Sequence, residues 1–303
     1  MQNYEFAGIS VLLVLLSFLI GILFQGIQRK LVARFQHRIG PPVFQPLYDI
    51  LKLLSKETII PKSSVKPVFV IAPFVALAAM VTAVLLVPVA GVTFWGFAGD
   101  VIVLLYVFVL ASIGIIVGAS ASGSPFSSVG ASREITLLIS LKLPLSIAVL
   151  SAAFIAKSFS IGAIAGNNTY LLLAGALAYF LCMLGELGRA PFHVSEAETE
   201  IVEGVYTEYS GRLLAAYKIA ESFRFYALPM LFAALFLPIP DIGAPGMLVL
   251  QLGFAFIAVV VSAVVEAVSA RFKIQHVSGF YLKGVLALAL IQMAIALVIP
   301  KAV

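Results

Sequence analysis

Half of the chain's carboxylates are crowded into one stretch: Glu186, Glu196, Glu198, Glu200, Glu203, Glu208 and Glu221 are seven of its 14 acids. Part of this cluster has a local explanation. Ser195-Glu196-Ala197-Glu198 reads as a capping box, with Ser195 at the N-cap and Glu198 reaching back, and acids in a first turn suit the helix dipole. Glu200 and Glu203 are not covered by it. On a continued helix they share a face with Glu196, and like charges so spaced repel by about 0.2–0.5 kcal/mol per pair. Such a face expects cationic partners, or carboxylates that share protons; a solvated acidic docking surface is the plainer alternative.

A second set of charges stands where charge is costly. Glu134, Lys142, Glu186, Lys218, Glu221, Arg224, Glu266 and Lys283 fall within long apolar runs or near their ends. An Asp, Lys or Arg at the centre of a membrane helix costs about 2.5–3.5 kcal/mol on insertion scales. Snorkelling to the interface accounts for Glu134, Glu186 and Glu266. It does not account for Lys142, about two turns inside, or for Lys218, Glu221 and Arg224 on one side of one helix. The expectation is a hydrated polar path into a helical bundle, with a purely structural ion-pair network as the alternative.

Redox chemistry within the chain itself is not expected. The single cysteine, Cys182, cannot ligate an iron–sulfur cluster, which takes about four thiolates. His37, His193 and His276 lie in separate loops with no zinc spacing, and no Gly-rich phosphate loop follows a strand. The chain is expected to bind no cofactor or metal and to hold no catalytic centre.

The elements that must position these charges follow from hydropathy. Of 303 residues 62% are hydrophobic and 11% charged, against about 25% charged in soluble domains, so the chain cannot cover a water-facing surface. Runs of about 20 apolar residues, the length that crosses a hydrocarbon core of about 30 Å, predict eight spans near 5–26, 67–89, 100–120, 134–156, 168–188, 215–238, 246–268 and 279–300. The fold class is an all-α integral membrane protein, one membrane domain over 1–303, with an interfacial amphipathic helix and a helical cytoplasmic loop. The long loops are 27–66 and 189–214. In the first, apolar residues at 47, 50, 51, 53 and 54 oppose Asp49, Lys52 and Lys56, the pattern of a helix lying in the interface. The small, polar stretch from Gly118 to Ser132 reads as a mobile loop. No internal repeat is visible, which argues against a transporter built on inverted halves.

The net charge of +5 is read as topology rather than nucleic-acid binding. Eight of the 19 basic residues lie between the first two spans, and alternate connections hold Arg133, Arg189, Arg212, Arg271 and Lys273. The remaining ends hold only Lys157 and Lys301. The positive-inside rule then puts both termini outside the cytoplasmic membrane. The first residues lack the basic start of a signal peptide, so the first span is expected to be retained.

Several segments together resemble one family. Glu186 to His193, through Arg189, Pro191 and Phe192, followed by Glu196, Glu198, Glu200, Glu203, Gly204, Glu208 and Tyr209, is similar to the signature loop of the complex I membrane subunit that joins the redox arm to the membrane arm and builds the quinone chamber. Arg29-Lys30 through Arg38, Gly40 and Pro41 resembles that family's first loop. Ser120 to Arg133, Ala220-Glu221, and Ala270 to Lys273 with Lys283 resemble its third connection, sixth span and last loop and span. The family includes counterparts in membrane-bound [NiFe] hydrogenases and in an archaeal sulfane sulfur reductase.

Four departures point to the hydrogenase-type branch. Gln28 precedes Arg29-Lys30 where the quinone enzymes carry Glu, the first loop is short, His193 replaces the aspartate of a PFD motif, and Lys142 aligns with a glutamate. The resemblance then implies a ferredoxin-linked, hydrogen-evolving complex that pumps protons or sodium ions, with iron–sulfur clusters and the NiFe centre in partner subunits. It implies that Arg29, Arg34, Arg38, Arg189, His193, Glu196 and Glu198 face a hydrogenase-like large subunit and an iron–sulfur small subunit. Glu200, Glu203 and Glu208 would respond to reduction there. Glu134, Lys142, Glu186, Lys218, Glu221, Arg224, Glu266 and Lys283 would carry the change toward antiporter-like subunits. Quinone-chamber, sulfur-reductase and stand-alone transporter readings stay open beside it.

Overall fold

The computed structural model describes residues 2–165, 172–196, 198–240 and 242–298. The chain is an all-helical integral membrane protein, and among the described residues seven helices are long and apolar enough to cross a bilayer. They are α1 (Gln2–Phe35), α3 (Lys66–Leu86), α4 (Asp100–Ala121), α5 (Pro125–Ala156), α9 (Gly211–Phe236), α10 (Ala244–Val268) and the continuous helical stretch Ile274–Val298. That last stretch comprises α11 (Ile274–Gly279), a π-helical turn (Phe280–Val285) and α12 (Leu286–Val298). The shorter elements are α2 (Gln45–Ser55), α6 (Ile161–Ala165), α7 (Leu173–Glu186) and α8 (Glu198–Ile201). The span expected at 168–188 lies partly outside the described residues. Its helical part, α7, has 14 residues, about 21 Å at 1.5 Å per residue, which is short of a full crossing.

Two boundaries differ from expectation for physical reasons. α1 does not end at 26 but runs on through Arg29, Lys30 and Arg34. Lys and Arg are good helix formers and suit a helix C-terminus. It stops where His37 and Gly40 take positive φ before Pro41-Pro42. The stretch from Gly118 to Ser132 is not a loop: only 122–124 separate α4 from α5, which starts on Pro125. Ser120 Oγ donates to the Ile116 carbonyl (2.8 Å) and Ser128 Oγ to that of Ser124 (2.9 Å), while Ser127 Oγ is buried without a hydrogen-bond partner among the described residues. The amphipathic helix forms as α2, with Pro46 and Ile50 buried and Tyr48, Leu51 and Leu54 exposed.

The connections segregate to two ends. At one end, Ile59 N–H donates to Ser210 Oγ (2.9 Å), Val65 N–H to the Ala121 carbonyl (2.9 Å), and Phe272 N–H to the Pro191 carbonyl (3.0 Å). These bonds join the four connections 36–65, 122–124, 187–210 and 269–273. At the opposite end Trp95 Nε1 donates to Ser10 Oγ (3.0 Å), Ala90 N–H to Gln251 Oε1 (2.9 Å), and Ile161 N–H to the Asp100 carboxylate (2.7 Å). α9 is central and almost wholly buried, packed by α1, α2, α3, α7 and α10. Of its charged residues, Lys218, Glu221 and Arg224 are partly buried among these neighbours, and Arg212, in its first turn, is exposed.

Candidate functional site

A cavity of about 460 Å³ opens beneath α2, at the end of the bundle that carries the long loops. α2 supplies its mouth with Asp49 and Lys52, Lys56 follows just beyond its last residue, and Arg29 reaches across from α1. Arg29 Nη1 lies 3.3 Å from the Asp49 carboxylate, which Gln45 Nε2 also meets at 2.9 Å, so α2 is clipped to the end of α1. The deep wall is apolar: Ala76 and Met80 from α3, Ala111 and Ile115 from α4. The remaining wall comes from the 187–206 segment and α9, and it is charged.

Glu221, on α9, is the centre of the charged wall. Its carboxylate accepts from Lys218 Nζ (3.0 Å), Arg189 Nη2 (3.1 Å) and Gln25 Nε2 (2.9 Å). The cations are also held by rings, Lys218 5.2 Å from the centroid of Tyr206 and Arg189 5.2 Å from that of Phe225. Arg189 Nε is buried without a hydrogen-bond partner. One carboxylate held by two cations leaves this group with a net positive charge, which favours an anion placed beside it.

A second group lies deeper. Lys142 Nζ sits 2.8 Å from the Glu186 carboxylate and 3.1 Å from the Phe108 carbonyl, with Lys142 7% and Glu186 6% exposed. Glu186 thus does not snorkel to the interface as expected; it closes α7 facing a buried lysine from α5. Arg224 Nη1 donates to the Glu186 carbonyl (3.1 Å). A void of about 30 Å³, enough for a water molecule, is lined by Glu134, Ser195, Glu196 and Arg224. Glu186, Glu196, Tyr206 and Arg224 line both spaces, so they form the wall between the cavity and the Lys142 side.

The acidic loop does not form the shared face expected of it. α8 spans only Glu198–Ile201, and Val202 (φ 58°) and Gly204 (φ 50°) break it. A Cβ at Gly204 would strike the Ser195 carbonyl. The acids therefore diverge: Glu196 and Glu203 line the cavity, and Glu200 pairs with Arg133 Nη2 at 2.6 Å. Glu208 stands apart and half-buried. Next to it Tyr209 stacks on Phe69 (4.1 Å) and donates to the Phe69 carbonyl (3.1 Å), anchoring the end of the loop. Burial pushes the Tyr209 phenol up to about 12 and that of Tyr206 upward as well, so both remain neutral. The capping contact expected of Glu198 lies outside the described side chains.

Other expected residues fall elsewhere. His193 lines the cavity, its Nδ1 donating to the Gly188 carbonyl at 2.6 Å. Glu266 is off the cavity, accepting from Gln28 Nε2 at 2.7 Å. Arg34 and Arg38 are exposed at the end of α1, and Lys283 is exposed on the outer side of the last span. Gln25 and Tyr206 were missed as site residues; a glutamine inside an otherwise apolar first run was the available signal for Gln25.

The sequence profile of the NADH dehydrogenase family matches residues 7–297. The chain belongs to that family. Among its relatives in the NADH dehydrogenase family, an NADH-quinone oxidoreductase subunit of Anoxybacillus flavithermus is 33% identical over 270 residues, 82% of this chain and 80% of that one. The corresponding subunit of Thermomicrobium roseum is 31% identical over 320 residues, 93% and 92% of the two chains. Among solved structures, the membrane-bound sulfane sulfur reductase, an archaeal respiratory membrane complex, superposes with a TM-score of 0.86 at 26% identity, covering 95% of this chain and 98% of that one. This NADH dehydrogenase family member is accordingly a multi-pass membrane subunit of a complex I-like respiratory assembly.

Proposed function

We propose that the chain couples electron transfer in a peripheral, hydrogenase-like arm to ion translocation, without binding a redox group itself. Reduced ferredoxin would be the donor and protons the acceptor, with the iron–sulfur clusters and NiFe centre in the partner subunits. The observation that carries this reading is the wall between the cavity and the deeper void: Glu221 lines the cavity, Arg224 and Glu186 line both spaces, and Glu186 meets Lys142 on the far side. A unit charge roughly 10 Å away is worth about 1.7 kcal/mol at an effective dielectric of about 20, close to one pK unit. That is enough to bias a protonation about tenfold and too little to force it alone, so a series of coupled groups suits the task better than a single carboxylate.

In this reading the four connections at the α2 end are cytoplasmic, because they and the helix ends that flank them are rich in basic residues, whereas Lys157 is the basic residue described in the opposite connections. Arg29, Arg34 and Arg38, with the 187–210 connection, would receive the hydrogenase-like large subunit and the iron–sulfur small subunit, and antiporter-like subunits would lie alongside in the membrane. Glu134, Lys142 and Glu186, with Lys218, Glu221 and Arg224, would pass the change onward. The replacement of a PFD aspartate by His193 supports the hydrogenase-type branch, as does the pairing of Lys142 with Glu186 where the quinone enzymes carry a glutamate.

The cavity itself favours a second reading, a quinone chamber. About 460 Å³ with an apolar deep end of Ala76, Met80, Ala111 and Ile115 falls in the range of small-molecule sites, and the relatives named above are NADH-quinone oxidoreductase subunits. Purifying the intact complex through a tag on this chain separates the two. The proposal expects a large subunit with nickel-binding cysteines and hydrogen evolution from reduced ferredoxin. Quinone reduction without hydrogen evolution would transfer the assignment to the second reading. In vesicles, Glu221→Gln is expected to keep the complex assembled and to lower the ions moved per electron; an unchanged ratio removes Glu221 from the path.

A further inference from the structure

Lys283 stands apart from the charges that line the cavity and from the exposed ones at the span ends, Arg34, Lys66 and Arg212. The last span turns one narrow face inward: Val277, Tyr281, Val285, Ala289, Gln292 and Ala296 are buried. Tyr281 fixes the rotation at the π-helical turn by donating its hydroxyl to the Leu181 carbonyl at 3.0 Å. Lys283 is two residues on and exposed. Its neighbours along the outward side are Leu282, Ala287, Leu290 and Ile291, a surface suited to hydrocarbon. Among the described residues no carboxylate or carbonyl pairs with its ammonium.

Nine residues separate Lys283 from Ile274, about 13 Å along the helix. At that depth a bare ammonium in lipid is unfavourable, and its four-carbon stem must bend back along the helix to reach water. Turning the residue inward would pull Tyr281 out of its bonded position. The backbone beside Lys283 is also bare: a Cβ at Gly279 or Gly284 would meet nothing within 4 Å. Small residues on an exposed helix flank let a second helix approach closely. A lone cation and a bare backbone on the same turn together ask for a helix with an anion.

We propose that this flank seats a membrane-spanning helix of a neighbouring subunit carrying an Asp or Glu opposite Lys283. The surface goes beyond the coupling function and rests only on membership of a multi-subunit membrane complex, not on the donor or acceptor. Two measurements on the intact complex test it. With a photoreactive benzoylphenylalanine in place of Leu282, irradiation should link this chain to a membrane-spanning peptide of another subunit that contains an acidic residue. Lys283→Glu should lower the amount of that subunit in the purified complex about tenfold or more, since like charges brought together at a desolvated contact are strongly unfavourable; Lys283→Arg should retain it. Cross-links to lipid alone, to a second copy of this chain or to a soluble subunit overturn the proposal. So does full retention of the neighbour in Lys283→Glu. If Lys283→Glu fails to insert, the cross-link decides alone. Ferredoxin-dependent hydrogen evolution, read on the same preparation, shows whether the coupling assignment stands when the docking surface falls.

Discussion

Lys142 and Glu186 are a buried ion pair whose members come from α5 and α7, 44 positions apart in the chain. Breaking such a pair by removing one partner costs about 3–5 kcal/mol because the other charge is left unpaired, whereas replacing both with apolar residues is often close to neutral. Lys142→Met alone is therefore expected to lower the stability of the purified complex by about 3 kcal/mol, and Lys142→Met with Glu186→Leu to recover most of that loss. Thermal challenge followed by size-exclusion chromatography compares the four members of the cycle. A double variant as unstable as the sum of the singles would show that the two residues do not act as a unit. The presence of both charges in apolar runs was legible from hydropathy, but their pairing was not. It depends on how far α5 and α7 are rotated toward each other, which no local pattern encodes. Glu221 shows the same limit: Lys218 lies one turn before it on α9, but Arg189 and Gln25 reach it from a loop and from α1.

The helices approach closely where the sequence is poor in side chain, and this is where composition misleads. Gly118 to Ser132 has the make-up of a linker, yet its small residues are packing surface. A Cβ on Gly130 would come within 2.6 Å of the Val205 nitrogen and 2.8 Å of the Gly204 carbonyl carbon. Those atoms are backbone and cannot yield as a side-chain end could. Gly130→Val is expected to displace the turn at 204–206, which carries Tyr206 on the cavity wall, and so to speed trypsin cleavage after Arg212 and reduce ion translocation. Ser132→Ala is the control: Ser132 is exposed and its hydroxyl only returns to the Val129 carbonyl at 2.8 Å, so a change within about 0.5 kcal/mol is expected. Equal trypsin sensitivity of the two variants would mean that α5 does not hold that turn. The amphipathic α2 was legible to within two residues because a periodic apolar stripe is a local signal. The breadth of the acidic face was not, because Val202 and Gly204 end α8 through backbone conformation rather than polarity.

At the scale of the whole molecule, charge divides the two ends of the bundle. The end with α2 holds the basic residues of the 36–65, 122–124, 187–210 and 269–273 connections and of the helix ends that flank them, while Lys157 is the basic residue described in the opposite connections. Basic connections are retained on the cytoplasmic side during insertion, and the cavity opens at that end, so in the proposed coupling one asymmetry would set both the topology and the side from which a redox partner reaches the charged wall. Cys182 is buried, and Cys182→Ser is a conservative background for single-cysteine labelling. In that background Lys157→Cys, exposed at the end of α5, is expected to react with a membrane-impermeant maleimide on intact cells. Lys62→Cys, exposed in the first long connection, is expected to react only after permeabilisation. The opposite pattern would place the cavity mouth outside the cell, out of reach of a cytoplasmic electron donor, and the coupling direction argued from Glu221 inward would fail with it.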